Sequence, residues 1–188
     1  MRAYDTRPVA RRGRASNLLL LAIAAVVLVV DQGSKHLVQQ HFGPCDSAPV
    51  SLLGDWLSLI YTCNHGAAFG ILANETLLFV LIALVVVGVI VAYFRFLPAN
   101  RPWLKVSLGL QLGGALGNLI DRVHQGFVVD FIWVKAWPVF NVADSCIVIG
   151  VLILAYYLLV MPGKPAVTPA PQPKTPAAPL GEAPRGES

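Results

Sequence analysis

Charge is scarce in this chain. Only 13% of its 188 residues are charged and 56% are hydrophobic, whereas a soluble domain carries about 25% charged residues. That shortage excludes an ordinary soluble fold and leaves a membrane protein of one compact unit with tails. Familiar catalytic signatures are missing as well. The histidines His36, His41, His65 and His124 show no His-Glu-x-x-His spacing, which argues against a zinc protease. No Gly-x-Ser-x-Gly elbow occurs. Ser34 and Lys35 are adjacent, and helical neighbours point about 100° apart, a poor geometry for a Ser–Lys dyad. Gly113-Gly114 lies inside an apolar segment and is no phosphate loop. The expectation is an activity that needs no metal and no cofactor. Cysteine is limited to Cys45, Cys63 and Cys146, without a Cys-x-x-Cys motif. Cys146 reads as a small core residue. Cys45 and Cys63 share one loop, and whether they pair stays open. Internal repeats are absent.

What is present is a set of apolar runs with basic ends. A basic arm over residues 1–16, expected to be disordered, carries Arg2, Arg7, Arg11, Arg12 and Arg14 against one acid, Asp5. Apolar spans are expected at about 18–38, 77–96, 104–121 and 142–160; at about 1.5 Å per residue, 20 residues cross a ~30 Å hydrocarbon core. The first span reads as uncleaved, because no small-x-small site and mature soluble domain follow it. Residues 41–70 are less apolar and rich in strand formers, with Gly54-Asp55 as a turn, so a small hairpin or sheet is expected there. Gly109, Gly113 and Gly117 fall at i, i+4, i+8 and form a groove for close helix packing. Trp133 and Trp137, one helical turn apart, suggest an interfacial piece. Residues 162–188 are rich in Pro and Ala, and a disordered tail is expected. The expected membrane unit is thus 17–161, a mainly α, four-helix membrane bundle with a β-rich outer segment.

The net charge of +4 does not imply nucleic acid, since the basic residues collect at span ends rather than among aromatics. Their distribution favours cytoplasmic termini and a cytoplasmic middle loop (Arg95, Arg101, Lys105). Asp31 and Lys35, Asn118 to Arg122, Asp130, and Asn141 to Asp144 then all fall at the outer membrane level.

Acids at that depth are costly and tend to serve function. Asn118, Asp121 and Arg122 share one helix face at i, i+3, i+4, and for Asp121 and Arg122 alone a helix-closing role is the better reading. Asp130 is harder to dismiss, being embedded in Val-Val-Asp-Phe-Ile. Asp144 opens the fourth span, where Asn141 can serve as the cap and leave the carboxylate for other work. Two carboxylates in a poorly solvated pocket cannot both ionise easily, so one keeps its proton and the pair becomes a general acid and a general base. That is the requirement for activating water against an amide. The alternative from another class is a small proton- or cation-coupled transporter, although such sites usually sit near the midplane between repeats.

Five motifs in order carry a resemblance: Asp31-Gln32-Gly33-Ser34-Lys35; Asn64-His65-Gly66-Ala67-Ala68-Phe69; Gly113-Gly114-Ala115-Leu116-Gly117-Asn118-Leu119-Ile120-Asp121-Arg122; Val129-Asp130-Phe131; and Phe140-Asn141-Val142-Ala143-Asp144. With these, the chain resembles the lipoprotein signal peptidase (signal peptidase II) family, aspartyl proteases of the bacterial inner membrane, over about 18–160. The resemblance implies that Asp130 and Asp144 are the catalytic dyad. It further implies that Asn64, Gly66, Asn118, Arg122 and Asn141 are supporting and substrate-facing, and that Asp31, Lys35 and Asp121 are structural or supporting. The outer segment would be the family's extracytoplasmic β-cradle. The implied substrate is a prolipoprotein whose cysteine already carries diacylglycerol, cut just before that cysteine. Expected partners are such precursors and membrane lipids, with no nucleic acid, and the expected state is a monomer. His65 departs from the family, which commonly has Thr there.

Overall fold

Small residues decide where the third helix goes. In the computed structural model, which describes residues 9–66, 75–93 and 101–160, with side chains from residue 17 onward, helix α3 (Pro102–Gln125) packs against α1 (Val9–Phe42), α2 (Thr76–Tyr93) and α4 (Val142–Val160). The expected glycine groove is what permits this. A Cβ built on Gly113 would stand 2.7 Å from the Ala24 carbonyl oxygen and 2.7 Å from Val27 Cβ. At Gly117 it would run into the Asp31 carboxylate. Helix α1 therefore approaches α3 at backbone contact, with Leu20, Ala24, Ile90 and Leu112 as the buried apolar core between helices.

Among the described residues, three helical stretches are long and apolar enough to cross a membrane: Asn17–Phe42, Thr76–Tyr93 and Val142–Val160. Their outward side chains, among them Val29, Val85 and Leu152, are exposed apolar surface suited to lipid. Helix α3 has the length but a lower hydropathy, because its polar residues Lys105, Ser107, Asn118 and Asp121 face protein and are buried there. The expected bounds shift at several ends. Helix α1 runs back to Val9, so the arm expected to be unstructured contains helical backbone over 9–16; a helix already nucleated by a span extends through Arg and Ala at little cost. Helix α3 runs on to Gln125, where Gly126 ends it in the left-handed region (φ 83°) and donates to the Arg122 carbonyl at 3.1 Å. Residues 94–96 of the second span, Ala67–Gly70 of the small-residue segment and the Pro-rich 162–188 lie outside the described residues.

The outer segment, where a small hairpin or sheet is expected, supplies two strands of a three-stranded sheet: β1 (Val50–Leu53), β2 (Leu57–Asn64) and β3 (Val128–Val134), antiparallel in the order β1-β2-β3. Strand β3 comes from the second connection. Trp133, expected with Trp137 in an interfacial piece, sits on β3 opposite Ser58, and Trp137 follows in the turn beyond the strand. Val128, Val129, Asp130 and Phe131 are buried on both strand faces, so the alternation that marks a half-exposed strand is missing. Val38, Tyr61, Val129 and Phe131 seat the sheet on the end of α1. Cys45 and Cys63 are disulfide-bonded, with Cα atoms 5.6 Å apart, tying the loop before β1 to β2. Such a bond belongs to an oxidising compartment.

The glycine contact makes a prediction. Gly113→Ala forces a methyl against backbone and is expected to cost roughly 1–3 kcal/mol, the usual overpacking range. Gly88→Ala, where the added Cβ meets nothing within 4 Å, is the matched control. Thermal unfolding in detergent should show a lower midpoint for the first variant only; equal midpoints would mean that the helices can separate without loss.

Candidate active site

The turn at Gly126 reverses the chain into β3, and β3 then carries Asp130 back beside β2. In the register, Thr62 opposes Asp130 and Asn64 opposes Val128. Asn64 and Asp130 are therefore diagonal neighbours on one sheet face, and Asn64 Nδ2 donates to Asp130 Oδ2 at 2.8 Å. The Asn64 amide is oriented by its other end, whose oxygen accepts from Gly66 N at 2.9 Å. After β3, Phe140 folds back onto the strand and exchanges backbone hydrogen bonds with Ile132 at 2.8 and 3.0 Å. This return brings the start of α4 beside Asp130.

Asn141 is the joint. It is fully buried. Its Nδ2 donates to Asp130 Oδ1 at 2.7 Å, and its Oδ1 accepts from the backbone N–H of Asp144 at 2.9 Å. It thus caps α4, as expected. Asp144 is not released by that cap, because its Oδ2 accepts from the Asn141 backbone N–H at 3.3 Å, the reciprocal half of a capping box. The other oxygen, Oδ1, accepts from Asn118 Nδ2 at 2.7 Å. Asp130 and Asp144 line one cavity of about 260 Å³, together with Asn64, Gly66, Asn118 and Arg122; Val128, Trp137, Pro138, Val139, Phe140 and Val148 form its walls. Burial pushes the Asp130 carboxyl up to about 7, and the charge of Asp144 adds to the rise. The amides of Asn64 and Asn141 and the charge of Lys35 work in the opposite direction.

Arg122 reaches the cavity from α3. Its Nη2 donates to the Gly66 carbonyl at 3.3 Å, and its guanidinium lies 4.9 Å from the Phe79 ring centroid. Its Nε is buried without a hydrogen-bond partner among the described residues. His65 is exposed and stands against Phe127, with centroids 5.3 Å apart.

Asp31, Lys35 and Asp121 do not line the cavity. They form a buried cluster of their own. Lys35 Nζ is 2.8 Å from Asp31 Oδ2 and 2.8 Å from Asp121 Oδ2. Asp31 Oδ1 accepts from Ala143 N at 2.9 Å, and Asp121 Oδ2 accepts from Val129 N at 3.2 Å. Each of these acids thus holds the backbone of the residue immediately before Asp144 or Asp130. Gln32 belongs to the same cluster and was not singled out from the sequence. Its Nε2 donates to Asp121 Oδ1 at 2.9 Å and to the Gly117 carbonyl at 3.2 Å. Its one signal was its place beside Asp31 in a membrane segment.

The arrangement presents two acidic residues to one mostly apolar cavity, with every contact from neighbouring amides aimed at their oxygens. Such a site can hold one proton between two acids and move it. Comparison with known proteins finds relatives over most of the chain. The family model for signal peptidase (SPase) II matches residues 23–160. The lipoprotein signal peptidase of Moorella thermoacetica is 50% identical over 144 residues, covering 77% of this chain and 95% of the relative. That of Pelotomaculum thermopropionicum is 45% identical over 143 residues, covering 76% and 92%. A bacterial membrane enzyme solved by the in meso method at 2.3 Å resolution superposes with a TM-score of 0.69 at 32% identity, covering 75% of this chain and 87% of that one. The transporter alternative finds no support in these relatives.

Proposed function

This chain belongs to the signal peptidase II family, peptidases that remove signal peptides from lipoproteins, and we propose that it does so as an aspartyl protease with Asp130 and Asp144 as its catalytic pair. The single observation that carries this reading is the shared cavity: both carboxyl groups open into it, and Asn141 is hydrogen-bonded to both residues. The ionised member takes a proton from water as the water oxygen attacks the scissile carbonyl carbon. The protonated member gives its proton to the carbonyl oxygen. Collapse of the tetrahedral intermediate breaks the C–N bond, and the leaving nitrogen takes a proton from the pair. Arg122, with a free buried Nε in the cavity wall among the described residues, is a donor for a substrate carbonyl, and Asn64 and Asn118 keep the two carboxyl groups in place.

The same reading extends to the membrane. Helix α3, at 24 residues, is the fourth crossing, sheathed by the other three. Residues 17–161 are the peptidase unit, with 1–16 and 162–188 as appendages. Both termini are cytoplasmic and the cavity opens near the outer face; the basic arm, the middle-loop cations and the Cys45–Cys63 bond support that orientation. The enzyme works as a monomer among membrane lipids, and the diacylglyceryl group on the substrate cysteine is part of recognition.

The test is cleavage by the purified protein in lipid. A precursor bearing a diacylglyceryl cysteine is expected to shorten by its signal peptide, and the same precursor without lipid to be cut at least ~10-fold more slowly, since remote binding energy lowers the barrier. Equal rates would remove the lipid from recognition. No cleavage of either precursor would remove the protease reading.

A further inference from the structure

An ammonium group has three donors and no acceptor. Lys35 spends its three on Asp31 Oδ2 (2.8 Å), Asp121 Oδ2 (2.8 Å) and Asn118 Oδ1 (2.9 Å). It is 2% exposed, and water has almost no access to it. Its third bond has a consequence at the cavity. An amide side chain can present either its oxygen or its nitrogen, and the choice is settled by its neighbours. With a cation at its oxygen, Asn118 must turn its Nδ2 toward Asp144, where it donates at 2.7 Å. Rotated by half a turn, the same amide would set its oxygen against Asp144, where that oxygen could accept only from the protonated carboxyl. Asn141 Nδ2 also reaches Asn118 Oδ1, at 3.2 Å, a longer and uncharged contact.

We propose that Lys35 is a positioning residue for the catalytic pair: its ammonium fixes the Asn118 amide and so offers Asp144 a hydrogen-bond donor, which keeps the ionised form of the pair within reach. This inference rests on the Asp130–Asp144 reading. The charged groups around the pair are Asp31 and Lys35 from α1, Asp121 and Arg122 from α3, Asp130 on β3 and Asp144 on α4, with β2 contributing the neutral Asn64. Of these, Lys35 reaches the pair through one amide. Removing it makes ionisation of the pair harder, so the acid limb of the pH–rate profile moves to higher pH.

The test must separate this from loss of fold. Lys35→Met alone leaves two buried acids without a counter-charge, so the informative variant is Lys35→Met/Asp31→Asn/Asp121→Asn. It removes the whole charge cluster yet keeps side-chain oxygens for Ala143 N and Val129 N. Folding is read from monodisperse elution and a cooperative thermal transition, and activity as kcat, KM and pH profile on lipidated precursor. The expected result is a folded protein with KM within about twofold, kcat lower by about 10-fold, and an acid limb higher by roughly one pH unit, because Asn118 is no longer held as a donor to Asp144. A folded triple variant with wild-type kcat and an unmoved limb would overturn the proposal. If the triple variant does not accumulate, Lys35→Arg carries the test, because it keeps charge and donors: the limb should stay at its wild-type position, and a shifted limb in folded protein refutes the role. If neither accumulates folded, Lys35 is structural only and the proposal falls. Active Asp130→Asn and Asp144→Asn enzymes would instead sink the underlying reading; inactive ones beside an unperturbed Lys35 variant sink this inference alone.

Discussion

Asp130→Asn and Asp144→Asn are each expected to lower kcat on lipidated precursor by at least ~10²-fold, the scale of general acid–base catalysis. Asn keeps the shape of Asp and removes the ionisable proton. The double variant should be little worse than either single one, because the two carboxyl groups act as one unit and their losses do not add. The wild-type profile should be bell-shaped, with two apparent pKa values that belong to the pair. Asp121→Asn provides the contrast. Its carboxylate holds Val129 N and Lys35 outside the cavity, so folded yield should fall or activity drop in part. Single-turnover rates on reconstituted protein check all four variants. A folded Asp130→Asn or Asp144→Asn enzyme cutting near the wild-type rate would take the pair out of the mechanism, and a folded but inactive Asp121→Asn would mean that the three aspartates are wrongly divided.

The second large effect is on stability. Folding raises the Asp130 carboxyl from an ordinary 3.8 to about 7, chiefly by burial. Between those values the folded protein holds a proton that the unfolded chain has released. Stability is therefore fully present below about pH 4 and is lost as pH rises through about 7. At about 1.4 kcal/mol per pH unit, the loss is on the order of 2–4 kcal/mol. Asp130→Asn removes this dependence. Its amide also sets an NH₂ against the donors Asn64 and Asn141, which changes absolute stability, so the comparison is of slopes. Thermal midpoints in detergent should fall more steeply from pH 5 to pH 8 for the wild type than for the variant. Parallel slopes would mean that Asp130 ionises as readily folded as unfolded.

Several features were legible from the sequence for identifiable reasons. The apolar runs pointed to three of the four expected spans, Asn17–Phe42, Thr76–Tyr93 and Val142–Val160, because hydrocarbon imposes length and composition on any helix that crosses it. The i, i+4, i+8 glycines announced the α1–α3 contact, since a missing Cβ is a property of the residue and not of its surroundings. Strand β3 escaped for the converse reason. Its first half is buried on both faces, so it lacks a two-residue alternation, and what identifies it is its pairing with β2, from Asn64 opposite Val128 to Leu57 opposite Val134, far away in the chain.

The sequence by itself determined the class of the protein and its chemistry-bearing residues. Acids are expensive in a membrane chain, and a carboxylate such as Asp130 amid Val and Phe stands out without coordinates. Tertiary structure alone decided where each acid sits. Asp31, Asp121, Asp130 and Asp144 are one residue type, and all fall at one expected depth. Only the packed chain sets Asp130 and Asp144 at the cavity and puts Asp31 and Asp121 behind it, each holding a backbone N–H with Lys35 between them. Hydrogen bonds are short and directional, and these join residues up to 112 positions apart, so no local pattern encodes them.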